Sequence, residues 1–219
     1  SYEIIEYPID LKFKNIDKAR EVLKFDSEYK HVLNVGLFTE GKNQKYAFEL
    51  AKKLEEYKIK FHFVGNQADN FKEYWGPLLN NKPDNCIIWG EREDIHNFFI
   101  SSDLFLFTSK FELNPLVIKE AISYMLPITM FNLETYYNSY DYYKTIDYLT
   151  GDIDIDSKLI LKKLGINNGK LDKGYVLYSN DKYFETTKMA VKSIREFSEL
   201  PIFVYMLNSD LKINIRNVK

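Results

Sequence analysis

The segment Ser102–Ser123, SDLFLFTSKFELNPLVIKEAIS, places an apolar run, a short loop and a helical pattern in immediate succession. The run Leu104–Ser109 is rich in Leu and Phe, which predicts a buried strand. Asn114 is a good N-cap and proline suits the first position of a helix, so we expect a helix over Pro115–Met125. The segment therefore predicts a strand that leads directly into a helix.

The same alternation of strand and helix extends on both sides of this segment. We expect further strands at His31–Phe38, Lys60–Val64, Asn85–Trp89, Pro127–Phe131 and Thr145–Leu149, and further helices at Gln44–Tyr57, Asp94–Ser101 and Ser157–Leu164. Apolar strands separated by amphipathic helices are typical of a parallel sheet covered on both faces. Because crossovers are right-handed, the predicted fold class is α/β, a doubly wound, Rossmann-like parallel sheet. Ligands bind such sheets beyond the carboxyl ends of the strands.

The segments that flank this alternation predict additional parts of the protein. The polar residues 1–30 are interpreted as an interdomain linker or arriving strand, residues 31–168 as the Rossmann-like domain, and residues 169–219 as a partial βαβ unit that begins a further domain. That unit would consist of a strand at Gly174–Ser179, a helix at Thr186–Phe197 and a strand at Pro201–Leu207. We expect both ends of the chain to lie inside a longer polypeptide.

Composition excludes several classes of function. Charges of both signs are interspersed and the net charge of the 219 residues is −2, so no nucleic-acid partner is expected. No apolar run approaches the roughly 20 residues that span a bilayer, and no signal peptide is visible. The single cysteine, Cys86, lies in an apolar run and is expected to be a buried strand residue. A cytoplasmic location is expected, with membrane contact only through parts beyond this chain.

Two carboxylates flank the predicted helix start in a Glu-x7-Glu spacing, Glu112 in the loop and Glu120 about 9 Å along the helix axis at 1.5 Å per residue. The free N–H groups at a helix start form an anion site. A nucleoside diphosphate sugar has hydroxyls at both ends and phosphates between them, so the two carboxylates would accept from hydroxyls while the helix end holds phosphate. The alternative is an ordinary solvated helix.

The chain from His31 to Asn132 resembles the carboxy-terminal domain of GT-B glycosyltransferases, in particular the retaining family 4 group with the Glu-x7-Glu motif. The matching pieces occur in the right order: VG…KNQ at Val35–Gln44, FHFVG at Phe61–Gly65, IIWGERED at Ile87–Asp94, the segment Ser102–Ser123, and LPI at Leu126–Ile128. They cover about half of the chain.

This resemblance implies a nucleotide-sugar donor, linked to uridine or guanosine diphosphate, with no cofactor and no metal. Glu112 and Lys42 would be the catalytic residues, Glu112 touching the donor sugar and Lys42 neutralising the diphosphate. The remaining implied substrate-binding residues are the phosphate-approach glycine Gly36, the ribose-binding Glu120, the nucleobase-loop residues Gly90 and Arg92, and Lys110, Asn114, Pro115 and Leu116 around the helix start.

Two further resemblances extend the implied partners. Gly174–Asp210 resembles the opening of a GT-A-type glycosyltransferase module. Tyr2–Asp10 resembles the linker from an amino-terminal GT-B domain, which would supply the acceptor site. With that domain, the protein would transfer a hexose-type sugar to a glycan or lipid-linked acceptor.

Some positions depart from the family pattern. Leu37 stands where the group usually has a phosphate-binding arginine, and Arg92 or Lys110 are the candidates to replace it. Leu113 and Met125 stand where glycine is common. These departures keep two alternatives open, a non-catalytic nucleotide-binding relative and a nucleotide-sugar epimerase of the same shape.

The remaining candidates for chemistry are interpreted as structural. His31, His62 and His96 are scattered along the sequence, and His62 alternates with phenylalanines in a predicted strand. Gly-x-Gly-x-x-Gly is absent, so no dinucleotide cofactor is expected.

Overall fold

The computed structural model describes residues 15–133, 146–167, 170–171, 175–179 and 202–206. The chain divides into two compact units, Ser1–Leu164 and Gly165–Lys219. In the first unit the strands are β1 (Lys30–Val35), β2 (Ile59–Val64), β3 (Cys86–Gly90), β4 (Leu104–Phe107), β5 (Ile128–Phe131) and β6 (Ile146–Leu149). Its helices are α1 (Ile16–Leu23), α2 (Gln44–Lys53), α3 (Lys72–Asn80), α4 (Ile95–Ser101), α5 (Leu116–Ser123) and α6 (Ile153–Lys163), with a 3₁₀ turn at Asp69–Phe71.

The six strands form one parallel sheet in the order β3-β2-β1-β4-β5-β6. This order starts in the middle and grows outward in both directions, which is the doubly wound arrangement. The predicted fold class is therefore confirmed. Because the order reverses between β1 and β4, the crossovers that follow these two strands leave in opposite directions. In doubly wound sheets this reversal point, at the carboxyl ends of β1 and β4, is where a ligand-binding crevice is expected.

Apolar side chains cover both faces of the sheet. On one face, strand residues such as Leu33, Phe105 and Ile128 join one core with Phe98 of α4 and Ile118 of α5. On the other face α2 lies over the sheet, and its Phe48 meets Phe63 of β2 edge-on with ring centroids 4.6 Å apart. The predicted burial of Cys86 is confirmed at 1% exposure, and burial raises the pKa of its thiol to about 12.

The described part of the predicted linker, residues 15–30, instead carries helix α1 and enters the core. Asn15 caps α1 by accepting from the Lys18 N–H at 3.1 Å, and Leu23 is 4% exposed. Asp103 then ties the helix to the sheet, pairing with Arg20 of α1 at 3.3 Å and Lys30 of β1 at 3.1 Å. Residues 1–14 lie outside the described residues, so the arriving strand stays a prediction.

The helix after β4 begins one residue later than predicted. Pro115 takes the cap position, with an extended backbone at φ −72° and ψ 101°, and α5 begins at Leu116. Asn114 is therefore not the N-cap, and no side chain caps this helix. The first turn closes instead through the Ile118 N–H, which donates to the Pro115 carbonyl at 3.1 Å.

The second unit contains two small sheets among its described residues. Strands β7 (Ile166–Asn167) and β8 (Lys170–Leu171) are antiparallel, and β9 (Tyr175–Ser179) pairs in parallel with β10 (Ile202–Met206). Both long strands that the sequence predicts in this region are present. The helix expected at Thr186–Phe197 lies outside the described residues, so the further domain at 169–219 stays a prediction.

A close backbone contact joins the ends of β1, β2 and β3. The Gly36 N–H donates to the Val64 carbonyl at 2.9 Å, and the Gly65 N–H donates to the Gly90 carbonyl at 2.8 Å. A Cβ on Gly65 would lie 2.1 Å from the Gly36 carbonyl oxygen, a distance that forces backbone to move. Glycine at position 65 is therefore what allows the strand ends to lie level at the site edge of the sheet.

We expect Gly65→Ala to lower the free energy of unfolding by about 3 kcal/mol, because rigid backbone cannot make room for the added methyl group. Gly41→Ala is the matched control, since Gly41 has no left-handed φ and an added Cβ would lie 3.9 Å from Thr39 Oγ1, an ordinary contact. That control should be neutral or stabilising by up to about 1 kcal/mol. Urea denaturation of both variants measures the difference, and equal stabilities would contradict the contact.

Candidate functional site

Two loops meet at the carboxyl edge of the sheet, the one that follows β1 and the one that follows β4. The Lys110 N–H donates to the Gly41 carbonyl at 2.8 Å, and the Thr108 hydroxyl donates to the Lys42 carbonyl at 3.1 Å. Thr108 is 1% exposed, so its bond is shielded from water. These bonds fix the loops to each other at the reversal of strand order.

The side chains of Lys42 and Glu112 form an ion pair across these two loops. The pair is largely shielded, with the Lys42 side chain 30% and the Glu112 side chain 15% exposed. The Lys42 stem runs beside Gly36, where a Cβ would lie 3.5 Å from Lys42 Cδ. The structure thus brings together three of the residues singled out from the sequence, at the crevice between β1 and β4.

The start of helix α5 lies at the end of the loop that carries Glu112. No side chain at the cap position accepts a hydrogen bond from the N–H groups of the first turn. Asn114 and Leu116 are exposed here and Pro115 is buried. Glu120 follows on the exposed surface of the same helix. The start of α5, with its positive dipole end, therefore follows Glu112 by four residues, and Glu112 is the partner of Lys42.

Lys110 lies on the β5 side of this pair. It lines a cavity of about 500 Å³ together with residues of α2, of the β5 end and of the turn before α6. Its ammonium makes no ion pair or hydrogen bond with the described residues. The backbone of Lys110 is thus fixed by its bond to Gly41, while its ammonium has no partner among the described residues.

Arg92, by contrast, is already engaged. Its guanidinium makes two bonds to the Asp94 carboxylate, at 2.8 and 3.0 Å, and lies over the Trp89 ring with 5.6 Å to the ring centroid. Asp94 occupies the N-cap position of α4, but its side chain makes no capping hydrogen bond there. Of the two candidates to replace the cation missing at Leu37, the geometry favours Lys110 over Arg92.

A buried chain of hydrogen bonds, which no local sequence pattern predicts, lies beneath Trp89. Trp89 Nε1 donates to His62 Nδ1 at 3.0 Å, His62 Nε2 lies 2.9 Å from His31 Nδ1, and His31 Nε2 lies 2.9 Å from the Asp26 carbonyl oxygen. Phe25 stacks on both imidazoles, with centroids 4.3 and 4.0 Å away. Only the pairing register of β1 and β2, which places both histidines on one face, could have revealed the contact.

Residues 15–139, more than half of the chain, match the model of the family described as glycosyl transferases group 1. The chain belongs to this family. The match includes α1, so the family unit begins earlier than the Rossmann-like domain predicted from residue 31. No curated protein sequence matches the chain.

Solved structures of similar fold include other glycosyltransferases. Sucrose-phosphate synthase from Thermosynechococcus elongatus aligns with a TM-score of 0.60 at 18% identity, over 70% of this chain and 40% of that one. HepE from Anabaena, in complex with UDP, aligns with a TM-score of 0.58 at 18% identity, over 67% of this chain and 42% of that one. WaaG, a glycosyltransferase involved in lipopolysaccharide biosynthesis, aligns with a TM-score of 0.54 at 17% identity, over 68% of this chain and 41% of that one. This group 1 chain therefore spans about two fifths of the length of these structures.

The sequence also contains an Asp-x-Asp-x-Asp run, Asp152–Asp156, whose carboxylates are possible metal ligands by type. The structure gives each of its carboxylates a bond within the protein. Asp152 caps α6, Asp154 pairs with Lys53 at 2.6 Å, and Asp156 accepts from Tyr46, Thr150 and Gly151. Within the described residues, no group of three or more His, Cys, Asp or Glu side chains is arranged to hold a metal ion.

The helices in the described part of this group 1 chain are all too short or too polar to cross a bilayer.

The pKa values of the two buried histidines are lowered. Burial is the main cause for His62, whose pKa falls to about 2, with further contributions from His31 and Lys60. Burial also lowers the pKa of His31, against the raising effects of the Asp26 carbonyl and the Asp103 carboxylate. Both imidazoles are therefore neutral in the folded protein at pH 7.

These shifts predict a loss of stability in acid. Unfolded histidines bind protons below about pH 6.5 while the folded ones do not, so stability is complete above that pH and falls as the pH drops. His62 alone should cost about 2 kcal/mol at pH 5, at about 1.4 kcal/mol per pH unit. Denaturation at pH 7 and pH 5 measures the loss. The double variant His31→Gln/His62→Asn should lose less stability between the two pH values than the wild type does. A wild type equally stable at both pH values would contradict the assignment.

Proposed function

We propose that this chain is the donor-binding half of a retaining, metal-independent glycosyltransferase, which takes a hexose-type sugar from a uridine or guanosine diphosphate donor. The observation that carries the proposal is the Lys42–Glu112 ion pair, held between two tied loops beside the uncapped start of α5. A cation, a carboxylate and free helix N–H groups at one crevice are what a ligand with both phosphates and hydroxyls requires.

The diphosphate is proposed to lie at Lys42 and the start of α5. Negative charge develops on the leaving diphosphate as the bond to the sugar breaks. The Lys42 ammonium and the positive end of the α5 dipole would stabilise that charge more strongly in the transition state than in the bound donor. Glu112, paired with Lys42, would accept hydrogen bonds from the first sugar hydroxyls that follow the phosphates. This arrangement supports catalysis without a metal.

The sheet order supports one direction for the donor. Strands lie about 4.8 Å apart, so the end of β3 is about 14 Å from the end of β4 across three strand steps. That is the reach of an extended nucleoside diphosphate from its phosphates to its base. The strand ends Gly36, Gly65 and Gly90 add no side chain of their own to this path, and the space beside Gly90 is open. Trp89 and Arg92 at the end of the path would offer flat surfaces to a base.

The acceptor is proposed to bind to a domain outside this chain. Structures of similar fold are more than twice as long as the part that aligns. Holding donor and acceptor in reactive geometry can contribute roughly 7–11 kcal/mol to catalysis, so the second half would be needed for efficient transfer. The proposed acceptor is a glycan or lipid-linked sugar.

The two carboxylates have separable roles. Glu120→Ala should weaken binding of uridine or guanosine diphosphate by about 1–3 kcal/mol, the scale of hydrogen bonds to a charged group. Glu112→Ala should not weaken binding of the free nucleotide but should remove the preference for the nucleotide sugar. Calorimetry with nucleotide and nucleotide sugar measures both, with the exposed Glu56→Ala as control. If neither variant differs from Glu56→Ala, the Glu-x7-Glu pair has no part in donor binding.

The cations are tested with inorganic pyrophosphate. Lys42→Met should weaken its binding by about 1.5–3 kcal/mol and Lys110→Met by about 1 kcal/mol, because one lysine is shielded and the other exposed. Arg92→Met should leave it unchanged, since Arg92 follows β3, whose end is about 14 Å from the end of β4, and Asp94 holds its guanidinium there. Lys52→Met, on the exposed side of α2, is the matched control. A larger effect at Arg92 than at Lys110 would reverse the assignment.

A further inference from the structure

The buried histidine chain has a single possible direction when both imidazoles are neutral. The indole N–H of Trp89 can only donate, so His62 Nδ1 must accept and its proton lies on Nε2. His62 Nε2 then donates to His31 Nδ1, and His31 Nε2 donates to the Asp26 carbonyl. Every polar atom of the two rings is satisfied, and reversing one ring would leave an acceptor facing an acceptor.

The chain crosses the sheet diagonally toward the candidate site. His62 lies opposite Leu33, two residues further along than His31, and opposite Ile87, two residues before Trp89. The hydrogen bonds therefore run from the amino end of β1 to the carboxyl end of β3. There the Trp89 ring supports the Arg92 guanidinium, which also lies 5.7 Å from the Phe98 ring centroid.

Resting on the proposed function, we infer that His62, oriented by His31, is a positioning residue for the nucleobase end of the donor. It fixes the rotation of the Trp89 ring, and through that ring the position of Arg92. An indole at the partly exposed edge of a sheet could turn its N–H toward water; the bond to a 1%-exposed imidazole prevents this. A planar heteroaromatic base is the ligand that a fixed aromatic and guanidinium surface suits.

Two conservative substitutions separate the two bonds of His62. In His62→Asn the amide oxygen can take the place of Nδ1 and keep the Trp89 bond, while the bond to His31 is lost. In His62→Gln the amide nitrogen can take the place of Nε2 and keep the His31 bond, while Trp89 loses its acceptor. Both side chains are uncharged and smaller than the ring they replace, so they make a matched pair.

The experiment measures affinity of the 219-residue chain for uridine diphosphate, guanosine diphosphate and inorganic pyrophosphate by calorimetry. His62→Gln should weaken both nucleotides about tenfold, the effect of one hydrogen bond, and leave pyrophosphate unchanged. His62→Asn should bind all three ligands within about twofold of wild type. Equal nucleotide affinities in the two variants, or a parallel loss of pyrophosphate, would overturn the inference. If His62→Gln does not fold, His62→Leu removes the same acceptor with an apolar side chain, leaves the Trp89 ring in place and should give the same selective loss.

A spectroscopic readout follows the bond without any ligand. The chain has two tryptophans, so Trp75→Phe assigns the two indole N–H resonances. The Trp89 resonance should be hydrogen-bonded and protected from exchange in wild type and His62→Asn, and exposed in His62→Gln. If it is exposed in wild type, the positioning role is wrong. If the exchange pattern is as expected but the wild type binds no nucleotide, both the proposed function and this inference fail. If the wild type binds nucleotide and the two His62 variants have equal nucleotide affinity, only this inference fails.

Discussion

The hydrogen bond from the Lys110 N–H to the Gly41 carbonyl, 2.8 Å long, holds the site together. It joins the loops that follow β1 and β4, the two strands between which the sheet reverses its order. Together with the bond from the Thr108 hydroxyl to the Lys42 carbonyl, it fixes each loop to the other as well as to its own strand. With it, Lys42 and Glu112 are brought into one ion pair although 69 residues separate them in the chain. The sheet topology brings the two loops to the same place, and the bond between them keeps the ammonium and the carboxylate together there.

A second constraint extends the site across the sheet. The carboxyl ends of β1, β2 and β3 are tied through glycines at 36, 65 and 90, which leaves a path of bare backbone toward Trp89. Beneath that path lies the imidazole chain, neutral and fully hydrogen-bonded. The same fold thus provides a charged region where strand order reverses and an aromatic region at the edge, as a ligand with phosphates at one end and a base at the other would require.

The sequence predicts the sheet well because its strands are nearly continuous apolar runs. It fails where the signal is weak or non-local. The sequence predicts a linker where helix α1 lies, because residues 1–30 are polar and the helix buries only a short stripe, Ala19 and Leu23. Helix α3 contains Gly76 and Pro77, which usually mark a turn. The Lys42–Glu112 and His31–His62 contacts depend on strand register, which no local pattern reveals. The carboxylates of Asp152–Asp156 cap α6 and bond to Lys53 and Tyr46, and the last two contacts depend on the packing of α6 against α2, which the local sequence does not show.

Chemical-shift mapping of backbone amides during titration with uridine or guanosine diphosphate tests the central claim most directly. The account predicts perturbations grouped in the loops after β1, β2, β3 and β4 and at Leu116 and Val117 in the first turn of α5. Helix α6 and the strands of the second unit should be unaffected. Perturbations confined to the cavity between α2 and α6, or no perturbation at millimolar nucleotide, would contradict a donor site at the crevice between β1 and β4.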